Sequence, residues 1–391
     1  MDTLLNEEEE MLRNLAREFL EGECPPSLVR EMEKDPLGYP PGLWKQVADL
    51  GWVGLAIPEQ YGGQGAGMQL LGLVLEEAGR HMLPLPLHST LTVAASINAA
   101  ASEAQKQDLL PKVASGDLIL TWALLEEDPR YLASGIHLEA KEDGDNYVLN
   151  GAKLFVDNFE ASDQVLVVTR TAPDDGNNGG ITLLLVDSKA SGVTNTPLVT
   201  TAKDRQSAVE FANVRVPKSA VIGEVNNGWS VVHDMLDVGT VLLCSMMCGA
   251  ARKDVEMAIE YAKNRTAFGR PIGAFQSVAH MCADQTMWVD GAELLTREAL
   301  WKLDQGVPAS VEVSQAKSFS NEYLQAAVRH SQSIHGGMGF MMEFNLHLWY
   351  RRVAAWGLRM GTTYEHRARI ATALLDQPGR VMLNEPVVLP R

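Results

Sequence analysis

The chain has 391 residues, 46% of them hydrophobic and 21% charged, enough to bury the cores of two or three domains and too apolar for a disordered segment. Fifty acidic residues against 33 basic ones give a formal charge of −17, which argues against a broad surface for nucleic acid or anionic lipid. The four cysteines, Cys24, Cys244, Cys248 and Cys282, have no metal-ligand spacing, so no metal site is expected and reduced thiols suit a cytoplasmic location. The run Glu7–Glu10 speaks against a secretory or mitochondrial presequence, and no uninterrupted apolar stretch has the length of a membrane span.

From Asn6 to about Gly116 the pattern is helical. Glu7–Glu21 carries Met11, Leu12, Leu15, Phe19 and Leu20 at helical spacing, and Met68–Arg80 and Leu91–Ala101 behave likewise. Between them Gly51–Gly63 is a loop punctuated by Pro58 and paired glycines. From about Asp117 to Gly223 the text changes to short β-rich runs, Gly135–Lys141, Tyr147–Phe155, Gln164–Arg170 and Ile181–Val186, separated by polar turns. After Asn226 long apolar-striped helices return over Trp229–Lys263, Ser277–Gln305, Ser310–Ile334 and Leu346–Leu375. The fold class is therefore α+β and mostly α, with an N-terminal helical domain (1–116), a middle β domain (117–225) and a C-terminal helical bundle (226–391).

Two segments carry chemistry. Asn264-Arg265-Thr266-Ala267-Phe268-Gly269-Arg270-Pro271-Ile272, followed by Gln276, offers a guanidinium, an aromatic ring and an amide. Gln332-Ser333-Ile334-His335-Gly336-Gly337 ends a helix in a glycine turn whose bare backbone can approach a pyrophosphate closely. Taken singly, Arg265 is a surface ion pair, Phe268 a core ring and Gly336-Gly337 a helix cap. Their joint occurrence reads as half of a flavin site.

Together with Gly51–Gly63, Tyr147–Phe155 and Val209–Gly223, in that order and spacing, these segments resemble the acyl-CoA dehydrogenase family. The resemblance implies a middle β-barrel, a four-helix bundle, a tetramer built as a dimer of dimers, bound FAD, an acyl-CoA substrate and electron delivery to an electron-transfer flavoprotein. It places Arg265 at the flavin pyrophosphate of a neighbouring subunit, Phe268 and Gln276 on the adenosine half, and Gln332 with Gly336 and Gly337 as a second adenosine-side element. Phe155 stands where the family usually has Trp, Asp157 where a Thr bonds the flavin ring, and Tyr131 where a Ser reaches substrate. Thr362, of the pair Gly361-Thr362, joins the cofactor-binding positions.

The chemistry requires a carboxylate to remove the proton alpha to the thioester carbonyl. In most members it directly precedes the Gly-Thr pair, where this chain has Met360; the minority position on the first bundle helix is Gly239, followed by Thr240. A thioether cannot take a proton. Three readings follow: a subunit of a heterotetramer whose second acyl-CoA dehydrogenase subunit carries the base, a homomeric enzyme using a substitute carboxylate (Asp157 or Glu365, more weakly Asp234 or Asp237), or a non-catalytic binding or scaffold protein. The acyl pocket would be lined partly by Val238, Thr240, Leu243 and Met247, an apolar set equally fit for an ordinary core.

Overall fold

The computed structural model describes residues 4–375. They divide into a mainly helical unit, built from residues up to Arg30, Gly67–Leu83 and the chain from Thr240 on, and a unit holding the sheet, built from Glu31–Ala66 and Pro84–Gly239. The N-terminal helices are thus shared between both units. They are α1 (Glu7–Glu23), α2 (Pro26–Met32), α3 (Pro41–Asp49), α4 (Gly67–Arg80), α5 (Leu87–Ala100) and α6 (Glu103–Ala114). A capping box starts α1: Asn6 Oδ1 accepts from Glu9 N at 3.0 Å and the Glu9 carboxylate accepts from Asn6 N at 2.8 Å.

In the second unit eight strands form one sheet: β1 (Leu120–Ala123), β2 (Glu139–Asp143), β3 (Asn146–Asp157), β4 (Gln164–Arg170), β5 (Ile181–Asp187), β6 (Val193–Pro197), β7 (Gln206–Pro217) and β8 (Val221–Ile222). The order is β6-β7-β3-β2-β4-β5-β8, with β1 parallel to β4. This corrects the expected barrel: among the described residues no pairing closes the sheet, and β6 and β8 remain its edges. β2 and β4 meet only where one starts and the other ends, at the pair Glu139↔Arg170, and at the rim β6 is almost wholly exposed and ends in proline, which lacks the N–H for a further ladder. Tyr147, Leu149, Val165, Val167, Val209 and Phe211 belong to the core of the sheet.

The strand expected over Gly135–Lys141 begins only at Glu139. Its first amides are taken elsewhere: the Glu126 carboxylate accepts from His137 N at 2.9–3.0 Å and from Leu138 N at 3.0 Å, so they are withheld from the sheet ladder.

The helical unit continues through α7 (Trp229–Asn264), whose first residues belong to the sheet unit, a two-strand hairpin of β9 (Thr266–Ala267) and β10 (Arg270–Pro271), α8 (Gln276–Asp304), α9 (Ser310–Phe319), α10 (Gln325–His335), α11 (Leu346–Trp356) and α12 (Thr363–Leu375). Helices α4 and α7 approach backbone to backbone. A Cβ on Gly79 would stand 2.0 Å from Met246 O, and one on Gly249 would stand 1.7 Å from Glu76 O. By length and apolar composition α7 is able to cross a membrane, contrary to the expectation from sequence, yet 72% of its apolar window is buried within the protein.

Two expected helices are interrupted. Ser310–Ile334 contains a π-turn at Ser320–Leu324 between α9 and α10. Leu346–Leu375 is broken after Trp356, with Met360 (φ 58°) and Gly361 (φ 98°) in left-handed backbone before α12 restarts.

Candidate active site

The Arg265 segment is a hairpin because Phe268 (φ 53°) and Gly269 (φ 80°) supply two consecutive left-handed residues between the pairs Ala267↔Arg270 and Thr266↔Pro271. A phenylalanine in that backbone region is strained. Its ring is 94% exposed and touches Phe275 edge-on, with ring centroids 6.0 Å apart. Arg265 is exposed, and its guanidinium makes no hydrogen bond or ion pair among the described residues. Gln276, also exposed, opens α8, so its position faces the free amides of a helix N-terminus.

Gln332 lies in the last turn of α10 and is 6% exposed; its buried Oε1 has no partner among the described residues, and neither has His335 Nε2. Gly336 takes φ 56° and ψ −133°, and a Cβ at either Gly336 or Gly337 would meet nothing within 4 Å, which leaves an open backbone cradle. These segments converge. Ala258, Ala262 and Ile334 form one apolar cluster against which Tyr261, Ile272, Val278 and Met281 pack, and Tyr261 stacks on His335 with centroids 4.4 Å apart. The end of α7, the hairpin exit, the start of α8 and the end of α10 are therefore gathered in one place. An exposed guanidinium, an uncrowded glycine turn and buried, unanswered acceptors fit the pyrophosphate and adenosine of FAD.

The other predicted positions are engaged within the protein. Phe155 sits at the β-bulge between Lys153 and Val156 with φ 56°, which leaves its ring 46% exposed. Asp157 ends β3: its Oδ1 accepts from Gln206 Nε2 at 3.1 Å, and its carbonyl accepts from Thr121 Oγ1 at 2.5 Å. Thr362 and Glu365 cap α12 together, Thr362 N donating to Glu365 Oε2 at 2.8 Å and Glu365 N donating to Thr362 Oγ1 at 3.3 Å. Asp237 lies 3.7 Å from His233 Nδ1 and Asp234 lies 3.9 Å from it. Gly239 O faces His88 Nε2 at 2.8 Å. Thr240, Leu243 and Met247 are at most 2% exposed, and Val238 is half-buried.

At the expected base position Met360 is buried at 5% exposure, and its carbonyl is held by His366 Nε2 at 2.8 Å. Asn321 Nδ2 donates to Gly361 O at 3.2 Å. Trp356 O accepts from Lys317 Nζ at 2.7 Å. No carboxylate replaces the thioether at residue 360.

Sequence reasoning missed the groups that fix these segments. Lys153 is fully buried, donates to Glu126 Oε1 at 2.7 Å and Leu124 O at 2.9 Å, and is held down to about 8 by burial, against the pull of the Glu126 charge. Lys317 is equally buried and also lies at about 8, lowered by burial first, against a smaller pull from Cys244, and by the Arg359 charge as well; its hydrogen-bond partners are Trp356 O and Met247 Sδ. The available signal was a lysine placed inside an apolar helical or strand face.

Against this geometry stand the comparisons with known proteins. Residues 6–117, 126–214 and 226–375 match the families described as acyl-CoA dehydrogenase N-terminal, middle and C-terminal domains. A 3-(aryl)acrylate reductase of Clostridium sporogenes is 31% identical, over 94% of this chain and 99% of that protein. The CarC subunit of the caffeyl-CoA reductase-Etf complex of Acetobacterium woodii is 30% identical, over 95% of this chain and 99% of its own. Among solved structures, the ChsE4-ChsE5 complex of Mycobacterium tuberculosis superposes with a TM-score of 0.88 at 26% identity, covering 97% of this chain and 100% of the matched one. With all three domains matched, the chain belongs to the acyl-CoA dehydrogenase family, flavoprotein oxidoreductases acting on acyl-CoA.

Proposed function

We propose that this chain holds the adenosine and pyrophosphate half of FAD through Arg265, Phe268, Gln276, Gln332, Gly336 and Gly337. It takes part in the α,β-dehydrogenation of an acyl-CoA thioester as one subunit type of a heterotetramer. The observation that supports this reading is an asymmetry: polar groups suited to a dinucleotide are unengaged at one end of the bundle, while residue 360 is a buried thioether. FAD supplies the hydride acceptor when bound. Arg265 would neutralise a phosphate, the Gly336-Gly337 turn, which presents no side chain, would let it approach the backbone closely, and Gln332 Oε1 would accept from the adenine amino group. The proton acceptor comes from the second acyl-CoA dehydrogenase subunit, and electrons leave to an electron-transfer flavoprotein.

Two relatives favour the assembly part of the reading. One is named as a subunit of a complex with Etf, and one solved neighbour is a complex of two differently named chains. The reductase names of two relatives favour the same site also running toward the saturated acyl group. The domain limits 1–116, 117–225 and 226–391 and a cytoplasmic location belong to this proposal.

The test is a visible spectrum and native mass of the protein purified alone and with its co-expressed neighbours. Flavin colour at heterotetramer mass, only on co-expression, is the expected result. A yellow homotetramer bleached by butyryl-CoA transfers the base to a carboxylate of this chain, Asp157 first. Protein that stays colourless with FAD and neighbours ends the enzymatic reading and leaves a scaffold.

A further inference from the structure

Lys317 and Asn321 lie four residues apart, on either side of the junction between α9 and the π-turn Ser320–Leu324. In a regular helix residues at that spacing share a face, and a π-turn re-aims the face by inserting a wider turn. Here the two side chains reach the same segment. Lys317 Nζ donates to Trp356 O at 2.7 Å and Asn321 Nδ2 donates to Gly361 O at 3.2 Å. Those carbonyls bracket the break between α11 and α12, which carries Met360 in left-handed backbone and leads into Thr362.

Neither side chain is there for cheap stability. Lys317 is 0% exposed, and its further neighbour is Met247 Sδ at 3.7 Å, so an ammonium sits in the core beside a carbonyl and a thioether. Asn321 is 3% exposed, and its Oδ1 has no partner among the described residues. Two costs concentrated on five residues, spent on gripping one irregular segment, mark a site where geometry outweighs stability.

We infer that Lys317 and Asn321 are positioning residues: a two-point clamp that sets residues 356–362 in the conformation the flavin-side chemistry uses. The inference rests on the proposed reading that the Met360–Thr362 turn borders the flavin. Lys317 acts through the Trp356 carbonyl and Asn321 through the Gly361 carbonyl, so neither is a catalytic residue.

The test compares Lys317→Met and Asn321→Leu with the parent protein, purified with whatever partner it needs to hold FAD. Circular-dichroism melting, amide hydrogen exchange and the midpoint potential of bound FAD are measured. The expected result for Lys317→Met is a melting temperature equal to or above the parent's, exchange at residues 357–362 at least tenfold faster, and a lowered flavin potential. Unchanged exchange in both variants overturns the clamp. Faster exchange with an unchanged flavin potential also overturns it, because the contact is then only structural. If the parent binds no FAD, the flavin reading fails, and hydrogen exchange alone decides whether the two side chains hold the segment.

Discussion

Two regions of the helical unit treat their polar groups in opposite ways. At the hairpin and the Gly336-Gly337 turn, the Arg265 guanidinium, the Gln332 Oε1 and the His335 Nε2 are left without partners among the described residues. Around residues 356–365, Trp356 O, Met360 O and Gly361 O each accept a side-chain hydrogen bond, and Thr362 and Glu365 satisfy one another. A protein leaves polar groups open where something from outside is to answer them and closes them where only shape is needed. By that criterion, and on the proposed function, the first region is where this chain would meet a nucleotide, while the second is a preformed turn whose residue 360 is a thioether.

The largest effect expected from breaking this contrast is a gain. Met360→Glu puts a carboxylate on the held turn, and the FAD-loaded heterotetramer carrying it should bleach with butyryl-CoA even when the partner subunit's base is replaced, where the same assembly with Met360 does not. Failure to bleach, with FAD bound, means the turn is not poised for chemistry.

Next in size is the cost of the clamp. The folded Lys317 lies at about 8 against an ordinary 10.5, so between those values the unfolded chain binds more protons and stability rises with pH. Converted at about 1.4 kcal/mol per pH unit, the difference is on the order of 3 kcal/mol. Urea melts of the parent and of Lys317→Met should therefore converge as pH rises from about 8 to about 10.5, with the variant the more stable below. Parallel curves would show that the ammonium is not penalised.

Arg265→Ala should weaken FAD retention roughly tenfold or more, the loss of a charge-assisted bond to phosphate worth about 1.5–3 kcal/mol. The thermal melt of the FAD-free protein should stay put, because the side chain has no internal partner. Smallest is Glu365→Ala, which should cost about 1 kcal/mol through the lost cap, while Glu365→Gln restores it. If Glu365→Gln keeps stability but abolishes acyl-CoA-dependent bleaching in the assembled enzyme, Glu365 is more than a cap.

Much of this was legible in the residues, and what was not has a common cause. The first helix follows from Met11, Leu12, Leu15, Phe19 and Leu20 at helical spacing, the alternating runs give β3, β4 and β5 nearly to the residue, and α7 and α8 follow from apolar stripes. The residues expected on the nucleotide side came from the family resemblance, and the fold gathers the segments that carry them around Tyr261, Ile272 and Ile334. The interruptions escaped because they are imposed from across the core. Ser320–Leu324 reads as helix, and so does Gly357–Thr362, until Asn321 and His366 are seen holding carbonyls of the second segment. The late start of β2 is likewise set by Glu126, which no local pattern reveals. The barrel, inferred from likeness, is an open sheet among the described residues, because no pairing joins β6 at one end of the strand order to β8 at the other.

The buried Glu126–Lys153 pair has an engineering consequence. Glu126 ends one limb of the 127–136 loop, and it grips the amides of His137 and Leu138 at the foot of the other, while Lys153 locks the carboxylate from β3. The loop is drawn shut at its neck, and Arg170 at the end of β4 donates to Ala133 O at 2.6 Å and to Ile136 O at 2.7 Å, so its returning limb is tied to the sheet as well. A laboratory graft that keeps Glu126, Lys153, Arg170 and residues 133–138 and replaces only residues 129–132 should therefore fold as readily as the original.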